Sequence, residues 1–333
     1  MDKISPGLLA YYCRLTPEIQ TCLVTLSACQ KTIELLRPEP TRERLLRHES
    51  LLQSSLYSAR IEGNPLKRSD LGLSHSNTTQ HKLEINNLDR AYTWVAELLN
   101  PAPVDLQFFK LLHSQTMIHL TPDVGAFRSE ESAIFNQAGI AVYLPPSPQL
   151  IKPQLSYLCQ WIQAMKYPPA ITAVMAHYIF EKIHPFLDGN GRVGRLLLFH
   201  LLHQAELSMR GLLVVEKILA TQRANYYDHL APNTTDRTQY VLFMLSCLAE
   251  ASELALEKLR LPSTTASDDL LPRRRELLNI IRDHELVSFN FLSRRFPSIK
   301  KSTLHNDIHH LLRAELIHKL GKTRGALYEV DKK

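Results

Sequence analysis

Ile183-His184-Pro185-Phe186-Leu187-Asp188-Gly189-Asn190-Gly191-Arg192-Val193-Gly194-Arg195 is the stretch on which the reading of this chain turns. Pro185 has no backbone N–H and disfavours helical geometry at the residue before it, so a helix arriving from upstream ends at His184. The glycine-spaced turn Asp188 to Gly191 then opens a second, apolar helix containing Leu196, Leu197, Leu198 and Phe199. Backbone N–H groups of such a turn, with the free N–H groups and positive dipole end of the following helix, form an anion site. Arg192 and Arg195 lie three apart on one side of that first turn. Each cation there costs about 0.3 to 1 kcal/mol unless an anion is present, so the pair points to a polyphosphate.

Two residues remain after the glycines and arginines are assigned. A carboxylate beside phosphate oxygens repels them unless a hard cation intervenes, and Mg²⁺ is commonly held by one or two carboxylates plus substrate phosphates. Asp188 is the candidate Mg²⁺ ligand. His184, with an ordinary pKa near 6.5, can accept a proton from a hydroxyl approaching phosphorus. This set of groups fits phosphoryl or nucleotidyl transfer. His177, His200 and His203 suit packing edges better than a metal site, because neither carboxylate nor thiolate accompanies them.

The residues from His184 to Arg195 resemble the signature of the Fic family, His-Pro-Phe-x-Asp/Glu-Gly-Asn-Gly-Arg-x-x-Arg, at every fixed position. The resemblance extends over roughly residues 40 to 255, through His177-Tyr178-Ile179-Phe180 and Gly125-Ala126-Phe127-Arg128. It implies a mainly α fold and transfer of AMP from ATP to a Ser, Thr or Tyr hydroxyl of a target protein, self-modification included. It also implies the roles. His184 is the general base and Asp188 the Mg²⁺ ligand; Gly189, Asn190 and Gly191 form the anion hole, with Asn190 near the α-phosphate. Arg192 and Arg195 hold the β- and γ-phosphates, with Gly194 in the same turn. Tyr226 and Tyr227 resemble a pair that borders the adenine, although buried aromatic packing explains them as well.

Upstream, Ser58-Ala59-Arg60-Ile61-Glu62-Gly63-Asn64 resembles the family's inhibitory motif, Ser/Thr-x-x-x-Glu-Gly/Asn. Ser58 and Glu62 are one turn apart on one helical side, and Gly63-Asn64-Pro65 ends the helix. The resemblance implies that Glu62 pairs with Arg195 and occupies the γ-phosphate position. Two β-prone runs, Ala133-Ile134-Phe135 and Ile140-Ala141-Val142-Tyr143, flank a turn containing Asn and Gly and predict a hairpin. It resembles the family's target-docking flap, in which Ile134, Phe135, Ile140 and Val142 align a segment by strand addition.

Working outward, residues 1–100 read as helices, with Leu45, Leu52, Leu56 and Ala59 at helical spacing, and 101–260 as the catalytic core. Asp105 is placed to cap a helix carrying Phe108, Phe109, Leu111 and Leu112. Further helices are expected over 149–165, 169–183, 191–206 and 222–258. The proline- and serine-rich 261–272 suits a linker. After it, helices over 274–284, 289–296 and 302–314 and a basic-tipped hairpin from Ile317 to Val330 predict a winged helix. Residues 273–333 hold fourteen Lys and Arg against seven Asp and Glu, so this end carries +7 of the chain's net +6 and the first 272 residues sum to −1. DNA binding by 273–333, through Lys300, Lys301, His305, Asn306, His309, Arg313 and Arg324, is one reading of this module; intramolecular packing or homodimer contacts with its charges solvated is the other.

The scarcity of glycine, 11 in 333 residues, agrees with a mainly helical chain. Five cysteines without a CxxC pair argue against a disulfide framework or a zinc site. No continuous apolar run approaches eighteen residues and the start lacks the pattern of a signal peptide, so a cytoplasmic protein without membrane contact is expected. Other functional classes fit the same motifs: transfer of another nucleotide, removal of AMP with Glu62 positioning water, or a nucleotide-sensing DNA-binding regulator. The last needs neither base nor metal ligand, which His184 and Asp188 supply.

Overall fold

The computed structural model describes residues 11–71, 79–98, 103–135, 141–231, 234–261, 270–284, 286–297, 299–321 and 326–330. It divides into two compact units. The first comprises Met1–Arg37, Arg47–Arg68 and Asn77–Lys258, and the second Pro38–Leu46, Ser69–Ser76 and Leu259–Lys333.

Helices dominate from the start: α1 (Pro17–Leu35), α2 (Pro40–Ile61), α3 (Thr79–Ala96) and α4 (Leu106–Met117). Thr16 caps α1, accepting from the Ile19 amide, with Pro17 at the first position where its missing N–H costs nothing. Asp105 caps α4 as expected, accepting from the Phe108 amide at 2.7 Å. Next come the paired strands β1 (Ile134–Phe135) and β2 (Ala141–Tyr143), antiparallel with Ile134 opposite Tyr143. Residues 136–140, including Ile140, lie outside the described residues.

The centre of the first unit is α6 (Pro169–Ile183), preceded by α5 (Pro148–Gln163) and followed by α7 (Asn190–Gln204). Ala170 through Phe180 is buried without a break, because this helix is apolar on all sides and the other helices pack round it. Phe109, Phe180 and Phe186 stack between α4, α6 and the loop that follows α6. The helix expected over 222–258 is instead two, α9 (Arg223–Leu230) and α10 (Thr238–Arg260), with α8 (Val215–Thr221) before them. Pro232 explains the interruption, since it cannot donate to the helix ladder. At 23 residues, with a window of mean hydropathy 1.2, α10 is long and apolar enough to cross a membrane, which a count of unbroken apolar runs does not detect. Half of that window is buried, with Val241, Met244, Leu245 and Leu248 facing the core.

In the second unit, α11 (Pro272–Asp283), α12 (Phe289–Arg295) and α13 (Lys301–Arg313) accompany three strands, β3 (Val287–Ser288), β4 (Ile317–Leu320) and β5 (Leu327–Val330). The antiparallel sheet has the order β3-β5-β4, and β3 is an element the sequence reading lacked. Leu277, Ile281, Leu292, Leu304, Ile308, Leu311, Ile317 and Tyr328 form one apolar cluster beneath it. Residues 262–269 of the expected linker and 322–325 of the expected wing tip, Arg324 among them, lie outside the described residues.

One buried polar knot ties three helices of the first unit. The Glu216 carboxylate on α8 accepts from Ser54 Oγ of α2 and from Tyr92 Oη of α3, each at 2.7 Å. Burial raises the Glu216 pKa, and the two hydroxyls oppose that shift. Tyr92→Phe should therefore lower the unfolding free energy by about 1 to 3 kcal/mol, the cost of leaving one carboxylate oxygen buried without its donor. Urea denaturation of the two proteins checks this, and an unchanged midpoint would mean that the bond adds nothing.

Candidate active site

His184 is the residue at which α6 stops. Its backbone is left-handed, φ 48°, and its N–H closes the last turn on the Phe180 carbonyl at 3.0 Å. A non-glycine residue holds this conformation only where its surroundings fix it, and here Arg128 does so. That buried guanidinium donates to the carbonyls of His184 at 2.8 Å, Glu130 at 3.0 Å and Pro146, while the Arg128 amide donates to the Pro185 carbonyl at 2.9 Å. His184 Nδ1 lies 3.4 Å from the Glu181 carbonyl, so a proton on Nδ1 leaves Nε2 as the basic nitrogen. Burial lowers the imidazole pKa to about 4, which keeps it neutral and able to accept a proton at pH 7.

The turn after His184 is built from side-chain to backbone bonds. Asn190 donates to the Phe186 carbonyl at 2.8 Å and accepts from the Phe186 amide at 2.9 Å, so its amide spans the loop. The sequence reading set Asn190 beside an α-phosphate; the structure occupies its side chain with the loop itself. Gly189 has φ 82°, and a Cβ there would meet Met117 Sδ at 2.7 Å, so both conformation and space demand glycine. His113, stacked on Phe186, accepts from the Gly125 amide on Nδ1 at 2.9 Å and presents Nε2 to the Asp188 carbonyl at 3.2 Å. Asp188 itself accepts the Gly189 amide at 2.6 Å, yet its side chain is 64% exposed. An exposed carboxylate at the open end of a helix N-terminus suits a hard cation that brings water and phosphate ligands of its own.

Both arginines of the turn are already paired. Arg195 is 1% exposed and donates from Nε to Ser58 Oγ at 2.9 Å, and from Nη2 to the Ser58 carbonyl at 3.0 Å and Glu62 Oε1 at 2.7 Å. The expected pairing of Glu62 with Arg195 is thus present, with Ser58 as a third contact. Glu62 also lies where a Cβ on Gly191 would stand. Gly63 ends α2 at φ 101°, with its amide on the Arg60 carbonyl. Arg192 lies between Glu84 Oε1 on α3, at 2.5 Å, and Asp188 Oδ1, at 2.8 Å.

Glu84, Arg128, His113 and Glu181 are site residues that the sequence reading did not single out. Glu181 packs against Gly194, where a Cβ would collide with its carboxylate, and burial raises its pKa to about 8. The tyrosine pair divides: Tyr226 is buried with its hydroxyl 2.9 Å from His177 Nε2, and Tyr227 is the exposed ring, with the Arg223 guanidinium 5.2 Å from its centroid. Of the flap residues, Ile134 is partly exposed on β1, and the side chains of Phe135 and Val142 are outside the described set. The β2 end is fastened by Tyr143 Oη donating to the Lys182 carbonyl at 2.9 Å.

Residues 103–202 match the model of the Fic/DOC family. The chain is 28% identical over 249 residues to the protein adenylyltransferase Fic of Aedes aegypti, covering 69% of this chain and 47% of that one. Against the protein of the same name from Culex quinquefasciatus it is 29% identical over 223 residues, covering 62% and 42%. It spans about half the length of these curated relatives. A Fic family protein from Desulfovibrio desulfuricans superposes with a TM-score of 0.64 at 22% identity, over 97% of this chain and 99% of that one. A Fic domain containing signaling protein from Bacteroides thetaiotaomicron gives 0.58 at 19% identity, over 73% and 98%. At such identities the two structures speak to the fold alone, whereas the family match falls on the loop and helices that build the site. Over residues 103–202, which include the loop from His184 to Arg195, this chain is similar to the Fic/DOC family.

Proposed function

We propose that the protein is an adenylyltransferase that moves AMP from ATP to a hydroxyl of a protein, and that Glu62 holds it inactive. The observation that carries the reading is a neutral imidazole, His184, at the rim of a loop whose backbone N–H groups suit a nucleotide's phosphates and whose exposed carboxylate suits the cation that accompanies them. His184 Nε2 takes the proton of a Ser, Thr or Tyr hydroxyl, the freed oxygen bonds to the α-phosphorus, and the bond from that phosphorus to the diphosphate breaks. The N-terminal turn of α7, Gly189 to Gly191, receives the charge that develops on the phosphoryl oxygens. Asp188 would hold Mg²⁺, whose charge offsets that of the phosphates. The strands β1 and β2 present the target segment by strand addition, and the protein's own hydroxyls are acceptors on the same terms. The curated relatives, named as protein adenylyltransferases, support this reading.

His184→Ala should cut transfer by on the order of 10² to 10⁴ while nucleotide affinity stays within a few fold, because the imidazole has a proton to take and no phosphate to hold. Radiolabelled ATP and a binding titration measure the two quantities, and undiminished labelling would remove His184 from the mechanism.

Inhibition by Glu62 follows from competition for one guanidinium. The γ-phosphate of ATP and the Glu62 carboxylate are both anions suited to Arg195, and a charge-assisted bond at 2.7 Å holds the arginine with the carboxylate. Glu62→Gly should raise labelling, Arg195→Ala should depress it, and the double variant should match Arg195→Ala. Equal or lower activity of a folded Glu62→Gly protein would reduce Ser58 to Asn64 to an ordinary helix end.

A second activity for the second unit is supported by the face of α13. Its exposed side chains are Lys301, Ser302, His305, Asn306, His309, His310 and Arg313, with no acid among them. The helix's one acidic residue, Asp307, is buried and accepts from Arg273 at 2.5 Å and Arg274 at 2.9 Å. Read as a winged helix with α13 as its recognition element, this unit would bind DNA. Lys301→Ala and Arg313→Ala should each lower the slope of log affinity against log salt by about one. A full-length protein that fails to retain DNA at low salt would assign this face to protein contacts.

A further inference from the structure

Asp188 is asked to present negative charge to a cation, yet it is already paired with Arg192 at 2.8 Å. A lone Arg–Asp pair is neutral overall and a poor ligand for a divalent ion. The charge that restores the balance comes from α3. Glu84 Oε1 accepts from Arg192 Nη1 at 2.5 Å, and both side chains are nearly buried, 11% and 9% exposed. Glu84, Arg192 and Asp188 together carry one net negative charge, and the exposed member, Asp188, is where that charge meets solvent.

Glu84 is fixed from behind. Its other oxygen accepts from Asn64 Nδ2 at 2.7 Å, and the same amide donates to the His81 carbonyl at 3.0 Å, while Asn64 Oδ1 accepts from the Leu66 amide at 3.1 Å. Asn64 stands two residues beyond Glu62, so a chain of bonds runs from the end of α2 through Glu84 and Arg192 to Asp188. We propose that Glu84 is a positioning residue for the metal site: it neutralises and orients Arg192, so that Asp188 keeps the charge with which it holds a divalent cation. This inference rests on the assignment of Asp188 as metal ligand in the proposed adenylyltransferase.

The sign of the effect separates this role from plain structural support. With Glu84→Gln, the positive charge of Arg192 bears on Asp188 uncompensated, and cation affinity should fall by on the order of tenfold. Replacing Arg192 as well, in Glu84→Gln/Arg192→Gln, should recover cation affinity, although it removes a second buried contact; a structural defect would deepen instead. The measurement is Mn²⁺ titration of the full-length proteins by electron paramagnetic resonance without nucleotide, so that the phosphate contacts expected of Arg192 do not enter, with circular dichroism as a check of folding. Weakened binding in Glu84→Gln with recovery in the double variant supports the proposal. Wild-type Mn²⁺ affinity in Glu84→Gln, or a further loss in the double variant, overturns it. Asp188→Ala is the arm that keeps the two readings apart: if it too binds Mn²⁺ like the wild type, the metal assignment itself is wrong and the inference falls with it. If Asp188→Ala alone loses the ion, the metal assignment stands and only the role of Glu84 is refuted.

Discussion

A guanidinium with 1% of its surface exposed stays in a protein interior only with partners, and Arg195 obtains all of its described hydrogen bonds from α2 and the residue that follows it. Ser58 within α2 and Glu62 just past its end ligate it from the side and from the helix end. That requirement fixes how α2 lies against α7, and α2 is held there by other bonds. Ser54 reaches the buried Glu216 carboxylate, and Arg223 donates to the Ile61 carbonyl at 2.6 Å, satisfying part of the helix's open C-terminus. Release of Glu62 would therefore cost Arg195 a single carboxylate contact and leave its bonds to Ser58 in place.

The loop between α6 and α7 answers a different constraint. It must hold His184 in a left-handed backbone and Gly189 in another, 82°, and neither conformation keeps itself. Arg128 secures the first through carbonyls on both sides of the turn; Asn190, bonded twice to Phe186, secures the second. His113 supports the Asp188 carbonyl from α4. Each of these groups is polar and enclosed, so each fixes direction as well as position. Such over-determination is what a preorganised site needs, since the reacting atoms must meet within a narrow geometry.

Much of this was legible in the chain because the information is local. Pro185 marks the helix end, the glycines mark the turn, and the twelve residues from His184 to Arg195 hold the proposed base, the proposed metal ligand and the glycine turn in sequence order. The Glu62–Arg195 pair, 133 positions apart, was accessible only through resemblance of two separate motifs. Glu84 had no such route: nothing in the run around it, Lys82-Leu83-Glu84-Ile85, distinguishes it from any partly buried helical carboxylate, and its partner is 108 residues away. Arg128 falls within the matching run Gly125 to Arg128, but carbonyl-binding leaves no pattern in sequence. The strand β3 is two residues long, too short for alternation to register. Between α9 and α10 the sequence carries Pro232, but the apolar periodicity on either side suggests continuity.

Three carboxylates sit on these two arginines, and Glu84 on Arg192 differs in its setting from Glu62 on Arg195. Glu84 lies inside α3, 11% exposed, with its second oxygen bound to a buried asparagine. Releasing it would strand a charge away from water, a cost that a buried ion pair rarely recovers. Glu62 is the first residue after α2, 31% exposed, and is followed by Gly63 at φ 101°, where an added Cβ would meet open space. Its carboxylate can turn into solvent while α2 keeps its place through Ser54, Ser58 and Ile61. The two acids therefore differ in kind: the one on Arg192 is held from both sides, and the one on Arg195 is the more readily released, which is what the proposed exchange with a polyphosphate requires.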